Sequence, residues 1–277
     1  MQRERVADDI YVFTSDLYAQ VTASAIITSA GAVIVDTLVY PEETRQIKRF
    51  VENRLGAPVT YVINTHYHAD HTTGTCFFNG ARVVSHALCR SLLDKRGRES
   101  LEKSKASSEE LREVELVLPD LVFESGTLTL HVGDKTLQLR HSPGHSPDSI
   151  VCSVPEDRVL LAADTMMPLP YFVDGSYDDF VTSLKNLQTG YYENIVQGHG
   201  EVILRGEIDE KIQSDLEYLR LLREAVDRAL ETGTSVEDIE IETCGKSRIL
   251  LNGTAQQLHR QNALALAQQR RELVQQL

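Results

Sequence analysis

The amino-acid sequence predicts an α+β fold in which β-sheets pack together and helices cover their outer sides. Short runs rich in Val, Ile, Leu and Tyr recur through the first two hundred residues, some as hairpins and others linked by helical segments. After residue 206 the pattern changes to helix. We therefore expect residues 1–205 to form the main domain and residues 206–277 to form a C-terminal helical extension.

The individual strands are predicted from apolar runs bounded by turn residues. They are Ile10–Thr14, Ser24–Ser29, Val33–Asp36, Val59–Asn64, Arg82–Ser85, Thr127–Leu130, Thr136–Leu139, Ser149–Val154, Val159–Ala163 and Asn194–Gln197. One helix is expected to begin at Pro41 and to end at Gly56, because Ile47, Val51 and Leu55 recur on one face between them.

Residues 91–118 differ from their surroundings because they are highly charged, and Ser107 and Glu110 have the spacing of a capping box. We interpret them as an exposed helical insertion, a solvated excursion from the fold. A flap beside a functional site is the alternative, since loops of this length are sometimes functional.

The C-terminal extension carries an apolar stripe bounded by charged residues, which predicts an amphipathic helix. The stripe comprises Ile208, Ile212, Leu216, Leu219 and Leu222, and a second helix is expected over 254–277. A helix of this length needs an apolar partner surface in water. We expect it to pack beside the opening of the functional site, with a homodimer interface as the alternative.

Composition narrows the class of protein. Lys and Arg total 28 against 41 Asp and Glu, so the net charge of −13 repels phosphate backbones and argues against a nucleic-acid partner. The four cysteines form no Cys-x-x-Cys pair, and reduced thiols are expected. No apolar run approaches the length of a signal peptide or a membrane span, so we expect a cytoplasmic protein with no membrane partner.

The chemistry is concentrated in the run from Thr65 to His71, directly after the predicted strand Val59–Asn64. It contains His66, His68, Asp70 and His71. On extended chain, residues i and i+2 point to the same side, and the following turn brings the next two residues to a neighbouring position. Imidazole and carboxylate groups suit zinc, iron or manganese, so this run predicts a metal site.

Three later residues extend the ligand set. His145 lies in a Pro-Gly-His turn, Asp164 ends the strand Val159–Ala163, and His199 lies between two glycines after Asn194–Gln197. Each is a weak signal alone, but a two-metal hydrolytic site needs several such ligands and an open position. The other histidines are interpreted as structural; they are His86, His131, His141 and His259.

The order of these motifs resembles the metallo-β-lactamase superfamily over about residues 8–205. The matching motifs are His-x-His-x-Asp-His, Pro-Gly-His, a strand-ending Asp, Gly-His-Gly and the earlier strand-ending Asp36. The resemblance implies a four-layer αββα sandwich with metals at one edge between the sheets. It also implies that His66, His68 and His145 bind one ion and that Asp70, His71 and His199 bind another. Asp164 would bridge the two ions and Asp36 would orient a ligand.

The resemblance therefore implies a metal-dependent hydrolase with two divalent ions, zinc in the first place and iron or manganese as alternatives. A metal-bridging hydroxide would attack the carbonyl of a small thioester, lactone or other ester-type substrate. Asp70 is the expected catalytic proton carrier. Tyr171 and Tyr177, in the segment after Asp164, are candidate substrate-binding residues.

Other activities of the same fold stay open. The string His68-Ala69-Asp70-His71 also resembles mononuclear iron persulfide dioxygenases, in which His66, His145 and Asp164 would hold the iron. The segment after Asp164 lacks the Gly-Arg-Thr-Asp type of motif that those enzymes carry. A β-lactamase or phosphodiesterase-type hydrolase is a further alternative. The complete set of metal-binding residues argues against a non-enzymatic binding protein on the same fold.

Overall fold

Two mixed β-sheets form the centre of the protein in a computed structural model that describes residues 1–187, 191–241 and 254–275. The first sheet contains, in spatial order, β1 (Gln2–Ala7), β2 (Ile10–Thr14), β3 (Thr22–Thr28), β4 (Gly31–Val35), β5 (Val59–Ile63), β6 (Arg82–His86) and β7 (Leu121–Phe123). The second contains β13 (Ile203–Leu204), β12 (Asn194–Gln197), β11 (Val159–Ala163), β10 (Ile150–Val154), β9 (Lys135–His141) and β8 (Thr127–Val132).

Strand direction changes within each sheet. Strands β1 to β4 are antiparallel, whereas β4 to β7 run parallel. In the second sheet β8 to β11 are antiparallel, β11 and β12 are parallel, and β13 is antiparallel to β12. Because β4 and β5, and likewise β11 and β12, run parallel, the residues that follow each pair emerge at one edge of their sheet.

Helices connect the strands and follow them. They are α1 (Pro41–Lys48) with a π-helical turn (Arg49–Arg54), α2 (Ala69–Thr72) with a 3₁₀ turn (Thr73–Phe77), α3 (Ala87–Leu92) with a π-helical turn (Leu93–Gly97), α4 (Arg98–Ser107) with a 3₁₀ turn (Glu109–Leu111), α5 (Tyr177–Lys185), α6 (Ile208–Thr232) and α7 (Thr254–Gln275). No helix in the described ranges combines the length and the apolar character that crossing a membrane requires.

The two sheets enclose one apolar layer and carry helices on their outer faces. Strand β11 shows why: Val159 and Leu161 belong to the core between the sheets, whereas Leu160 and Ala162 belong to the core under α5, α6 and α7. Side chains alternate along a strand, so a strand buried on both faces must be apolar throughout. On the first sheet, Ile47 and Val51 of the α1 region pack on the outer face. The four-layer αββα arrangement is thereby confirmed.

The sequence located the buried strands well. Ile10–Thr14, Val159–Ala163 and Asn194–Gln197 have the predicted bounds, and the other predicted strands shift by three residues or fewer at an end. The strands β1, β7 and β13 were not predicted. The capping box was wrong: Ser107 ends α4, and its hydroxyl donates to the carbonyls of Lys103 and Ser104.

Both C-terminal helices are present where the sequence predicts them, and the stripe of α6 is buried at Ile208, Ile212, Leu219 and Leu222. These helices share one hydrophobic core with β11, β12 and α5. The division at residue 205 stays a prediction. Cys76, Cys89 and Cys152 are free thiols, as expected, and Cys244 lies outside the described residues.

Candidate metal centre

The predicted metal ligands meet at the edge where β4, β5, β11 and β12 end. His66 follows β5, and His68 precedes the short helix α2, whose first turn carries Asp70 and His71. Asp164 follows β11 and His199 follows β12. All seven residues come together, as the sequence predicts. Three overlapping groups have ligand atoms within 4.8 Å of one another: His66–His68–His145, His66–His71–Asp164 and Asp70–His71–His199.

The first group is made of three imidazoles whose ring nitrogens converge. His68 Nδ1 lies 3.1 Å from His66 Nε2 and 2.9 Å from His145 Nε2. Burial holds the pKa of His145 down at about 4, and burial with the neighbouring His71 and His68 lowers the pKa of His66 well below its usual value. The rings of His66 and His145 are therefore neutral, which is the form that binds a metal.

The group Asp70–His71–His199 surrounds a place that favours positive charge. Burial by itself would lower the pKa of His199, but the carboxylates of Asp164 and Asp70 outweigh burial and raise it to about 10. The pKa of His71 is raised in the same way by Asp164, Asp70 and Asp36. The negative potential of the carboxylates favours the protonated, positively charged form of both imidazoles. The same negative potential would stabilise a divalent cation bound in place of the protons.

Asp164 lies between the three-histidine group and the group Asp70–His71–His199. Its Oδ2 is 3.1 Å from His145 Nε2, and its Oδ1 is 3.3 Å from His71 Nε2. Yet Asp164 Oδ1 and His71 Nε2 are both buried without a hydrogen-bond partner. A buried polar atom left unpaired costs about 1–3 kcal/mol. Unpaired ligand atoms at the centre of a histidine and carboxylate set fit a bound metal ion.

The backbone near Asp164 and His145 leaves no room for a side chain. A Cβ on Gly198 would lie 1.8 Å from Asp164 Oδ1, and a Cβ on Gly144 would lie 2.3 Å from the Cα of Phe180. Gly144 also has a φ of +139°, which L-residues rarely adopt. The glycines beside the predicted ligands are therefore required for close approach, which the sequence motifs alone did not explain.

A hydrogen-bond relay holds two of the ligands through Asp36. His71 Nδ1 donates to Asp36 Oδ2 over 2.8 Å. His66 Nδ1 donates to Thr65 Oγ1, and that hydroxyl donates to Asp36 Oδ2 over 2.7 Å. The backbone N–H of Thr65 donates to Asp36 Oδ1. Asp36 thus orients both rings, directly for His71 and through Thr65 for His66.

Backbone carbonyls orient two further ligands. His145 Nδ1 donates to the carbonyl of Tyr171 over 2.7 Å, and His199 Nδ1 donates to the carbonyl of Ala19 over 2.9 Å. Each contact leaves the Nε2 atom of the ring facing the centre. The segment between β2 and β3 and the segment after β11 are therefore both part of the support for the metal centre.

Comparison with known proteins identifies the family. Residues 18–226 match the model of the metallo-beta-lactamase superfamily. The chain belongs to this superfamily. Its His/Asp clusters are consistent with divalent metal ions.

Individual relatives are distant. The chain is 29% identical over 189 residues to the metallo-beta-lactamase type 2 of Bacillus cereus, covering 65% of this chain and 66% of the relative. It is 27% identical over 199 residues to the beta-lactamase-like protein 2 homolog of Caenorhabditis elegans, covering 71% of this chain and 60% of the relative. The chain thus spans less than two thirds of the length of each of these relatives.

A solved metallo-beta-lactamase from Pontibacter korlensis has the same fold. It aligns with a TM-score of 0.65 at 19% identity, covering 79% of this chain and 98% of that chain. The expected architecture is confirmed by this comparison.

A cavity of about 750 Å³ opens over the metal centre of this metallo-β-lactamase superfamily member. The floor of the cavity includes five of the predicted metal ligands, His68, Asp70, His145, Asp164 and His199. One wall comes from the insertion, and its apolar members are Leu93, Leu101, Leu111, Val114, Leu116 and Val117. The interpretation of residues 91–118 as a purely solvated excursion is therefore wrong. Six of their apolar residues line the cavity, together with the charged residues Arg96 and Glu115.

The two tyrosines predicted to bind substrate have different positions. Tyr171 lines the cavity, and its hydroxyl donates to Gln261 of α7. Tyr177 is buried under α6 and donates its hydroxyl to the carbonyl of Leu219, away from the cavity lining. Tyr177 begins α5, whose inner face packs into the core. We therefore correct its assignment from substrate binding to packing.

Sequence reasoning missed a polar network behind His68. His68 Nε2 donates to Asp174 Oδ2 over 3.2 Å, and the hydroxyl of Tyr67 donates to the same oxygen. Arg96, from the insertion, bonds both Tyr67 and Asp174. Burial and the bond to Asp174 raise the pKa of Tyr67 to about 12, so its hydroxyl stays protonated. No local motif marks these residues, because they come from three distant segments.

The histidines interpreted as structural lie outside the metal centre. His86 and His141 stack with ring centroids 4.2 Å apart, and each is bonded through Nε2 to a backbone carbonyl. His131 contacts the hydroxyl of Thr136. His259 is buried between α6 and α7 against Tyr218.

Proposed function

We propose that the protein is a binuclear hydrolase of ester-type carbonyl compounds, namely thioesters, lactones or simple esters. The observation that carries this proposal is a double ligand set beneath an apolar cavity, with Asp164 between its halves. His66, His68 and His145 would hold one ion, and Asp70, His71 and His199 would hold the other. Histidine and carboxylate donors suit zinc in the first place.

Bound ions of this kind would activate a water and polarise the substrate carbonyl. The chain supplies the groups that direct the proton. Asp70 lies between His71 and His199, with its Oδ2 3.4 Å from His199 Nε2. Burial would raise its pKa, but His71 and His199 outweigh burial and hold it well below the usual range. The anionic carboxylate can therefore accept a hydrogen bond from the attacking water, take up the proton that the water loses on attack, and pass that proton to the leaving group.

The size and the apolar walls of the cavity indicate which chemical groups of a substrate would surround the scissile bond. A volume of about 750 Å³ lies within the range of about 300–1,000 Å³ usual for small-molecule sites. Apolar walls from the insertion, Met167 and Leu258 exclude water from the non-reacting part of a substrate. This lining supports a substrate with an apolar acyl or alcohol portion. The net charge of −13 argues against a polyanionic substrate such as nucleic acid.

The test joins metal analysis with a substrate panel. Protein purified without added metal should contain close to two equivalents of divalent metal per chain. It should hydrolyse a medium-chain thioester, a lactone or an aliphatic ester faster than a β-lactam or a phosphodiester. The Asp164→Ala variant is the matched control: it should lose metal and activity together while its circular dichroism stays native, because the sheets do not depend on the ions.

Other results would contradict the proposal. One iron per chain, with oxygen consumed on addition of a persulfide, would identify a dioxygenase instead. Fastest turnover of the phosphodiester or the β-lactam would overturn the substrate class. Full metal content and near-native turnover in Asp164→Ala would overturn the shared-ligand assignment.

A further inference from the structure

Arg96 stands on the cavity wall in an unusual setting. It belongs to the π-helical turn Leu93–Gly97 of the insertion and lines the cavity above the metal centre. Its Nη1 donates to the hydroxyl of Tyr67 over 3.3 Å and to Asp174 Oδ1 over 3.1 Å. Its side chain is nevertheless 58% exposed. The guanidinium is thus held in place by one nitrogen, on a side chain that lines the cavity and is largely exposed.

The Nε and Nη2 donors of the Arg96 guanidinium are available to a ligand. Arginine carries five N–H groups in a planar fork, and both protein contacts of Arg96 use Nη1. The Nε and Nη2 atoms make no hydrogen bond to any residue in the described part of the chain. Nε and Nη2 form the edge of the fork that pairs with the two oxygens of a carboxylate. Among the described residues that line the cavity, Arg96 is the one lysine or arginine.

Arg96 is connected to the metal centre through the hydrogen bonds of Asp174. Asp174 accepts from Arg96 through Oδ1 and from His68 Nε2 through Oδ2, and His68 Nδ1 faces the three-histidine group. A ligand on the free edge of Arg96 would therefore be two side chains away from the metal centre. A substrate that reached both places would therefore carry its anionic group several bonds away from its scissile carbonyl.

We propose that Arg96 binds a carboxylate of the substrate, so that the preferred substrates are ester-type compounds whose chain also carries a carboxylate. This inference rests on the proposed hydrolase function and narrows its substrate class. A carboxylate fits better than a phosphate because Asp174 already neutralises part of the guanidinium charge, and a dianion would leave charge unmatched in an acidic protein.

The test measures binding, which needs no turnover. The probes are adipic acid monoamide, which carries one carboxylate, and adipamide, its neutral counterpart. Calorimetric titration of the metal-loaded wild-type protein should show tighter binding of the monoamide. Arg96→Gln should reduce that preference roughly tenfold to a hundredfold, since a hydrogen bond between charged groups is lost. Arg98→Gln is the matched control, because Arg98 is exposed, pairs with Asp94 and lies outside the cavity lining.

A purely structural role for Arg96 predicts a different result. If Arg96 only holds Asp174, then Arg96→Gln weakens both probes equally and the preference for the carboxylate survives, which would overturn the inference. No preference in the wild-type protein would overturn it as well. Arg96→Lys keeps the charge but not the fork, and it should retain an intermediate preference. Failure of every ester in the substrate panel would contradict the hydrolase proposal without altering this binding comparison.

Discussion

Replacing Asp36 by asparagine should weaken one half of the metal centre more than the other. Asp36 is buried, and its Oδ2 accepts from His71 Nδ1 over 2.8 Å and from Thr65 Oγ1 over 2.7 Å. The asparagine amide can still accept the backbone N–H of Thr65, but an NH₂ group in place of Oδ2 cannot accept from either donor. His71 loses its direct partner, whereas His66 loses only a partner of its partner.

The expected magnitude follows from these contacts. Loss of a group that orients a metal-binding histidine lowers metal affinity by about tenfold to a hundredfold, which corresponds to about 1.4–2.8 kcal/mol. We expect this loss at the ion on Asp70, His71 and His199. Titration with a chelator, followed by elemental analysis of the protein, should show Asp36→Asn releasing one equivalent at a lower chelator concentration than wild type and retaining the second.

The half-exposed Asp174 offers a matched comparison. It accepts from His68 Nε2, and its side chain is 33% exposed, so water can replace part of the lost bond. Asp174→Asn should therefore cost less affinity than Asp36→Asn and should affect the three-histidine half. If Asp36→Asn released both ions together, or at the wild-type chelator concentration, the relay through Asp36 would not be what orients His71.

Three further changes test other parts of the site. Asp70→Asn should lower kcat more than it raises KM, measured on esters with good and poor leaving groups, and equal effects on the two esters would argue against proton delivery. Gly198→Ala should lose metal in elemental analysis because its Cβ would meet Asp164, whereas Gly206→Ala, at an open position, should keep it. Asn262→Ala should lower the free energy of unfolding in urea by about 2 kcal/mol, since two backbone groups of the loop before α5 lose their buried partner; an unchanged midpoint would refute this.

Strands buried on both faces could be predicted from the sequence because burial dictates composition. Val159–Ala163 is apolar at every position. Alternate side chains face the core between the two sheets and the core under α5, α6 and α7, and both cores need apolar side chains. The strand β1, Gln2–Ala7, was missed for the opposite reason. It pairs with β2 along one side only, and most of its side chains are exposed, so its sequence remains polar.

The clustering of the candidate metal ligands could be predicted because each belongs to a short motif at the end of a strand or in a glycine-flanked turn. His66, His68, Asp70 and His71 lie within six residues, and their geometry follows from one strand end and one helical turn. The groups that surround the ligands could not be predicted in this way. Arg96 and Asp174 are 78 residues apart and meet only through the packing of the insertion on the segment after β11.

The segment between β11 and α5 explains why the C-terminal helices serve the metal centre. Its Tyr171 carbonyl orients His145, and its Asp174 carboxylate orients His68. The same segment is held from the other side by α7, because Asn262 accepts from the backbone N–H of Phe172 and donates to the carbonyl of Pro170. Two of the predicted metal ligands are thus positioned by a loop that α7 secures, and the helical extension contributes to the geometry of the site through this loop.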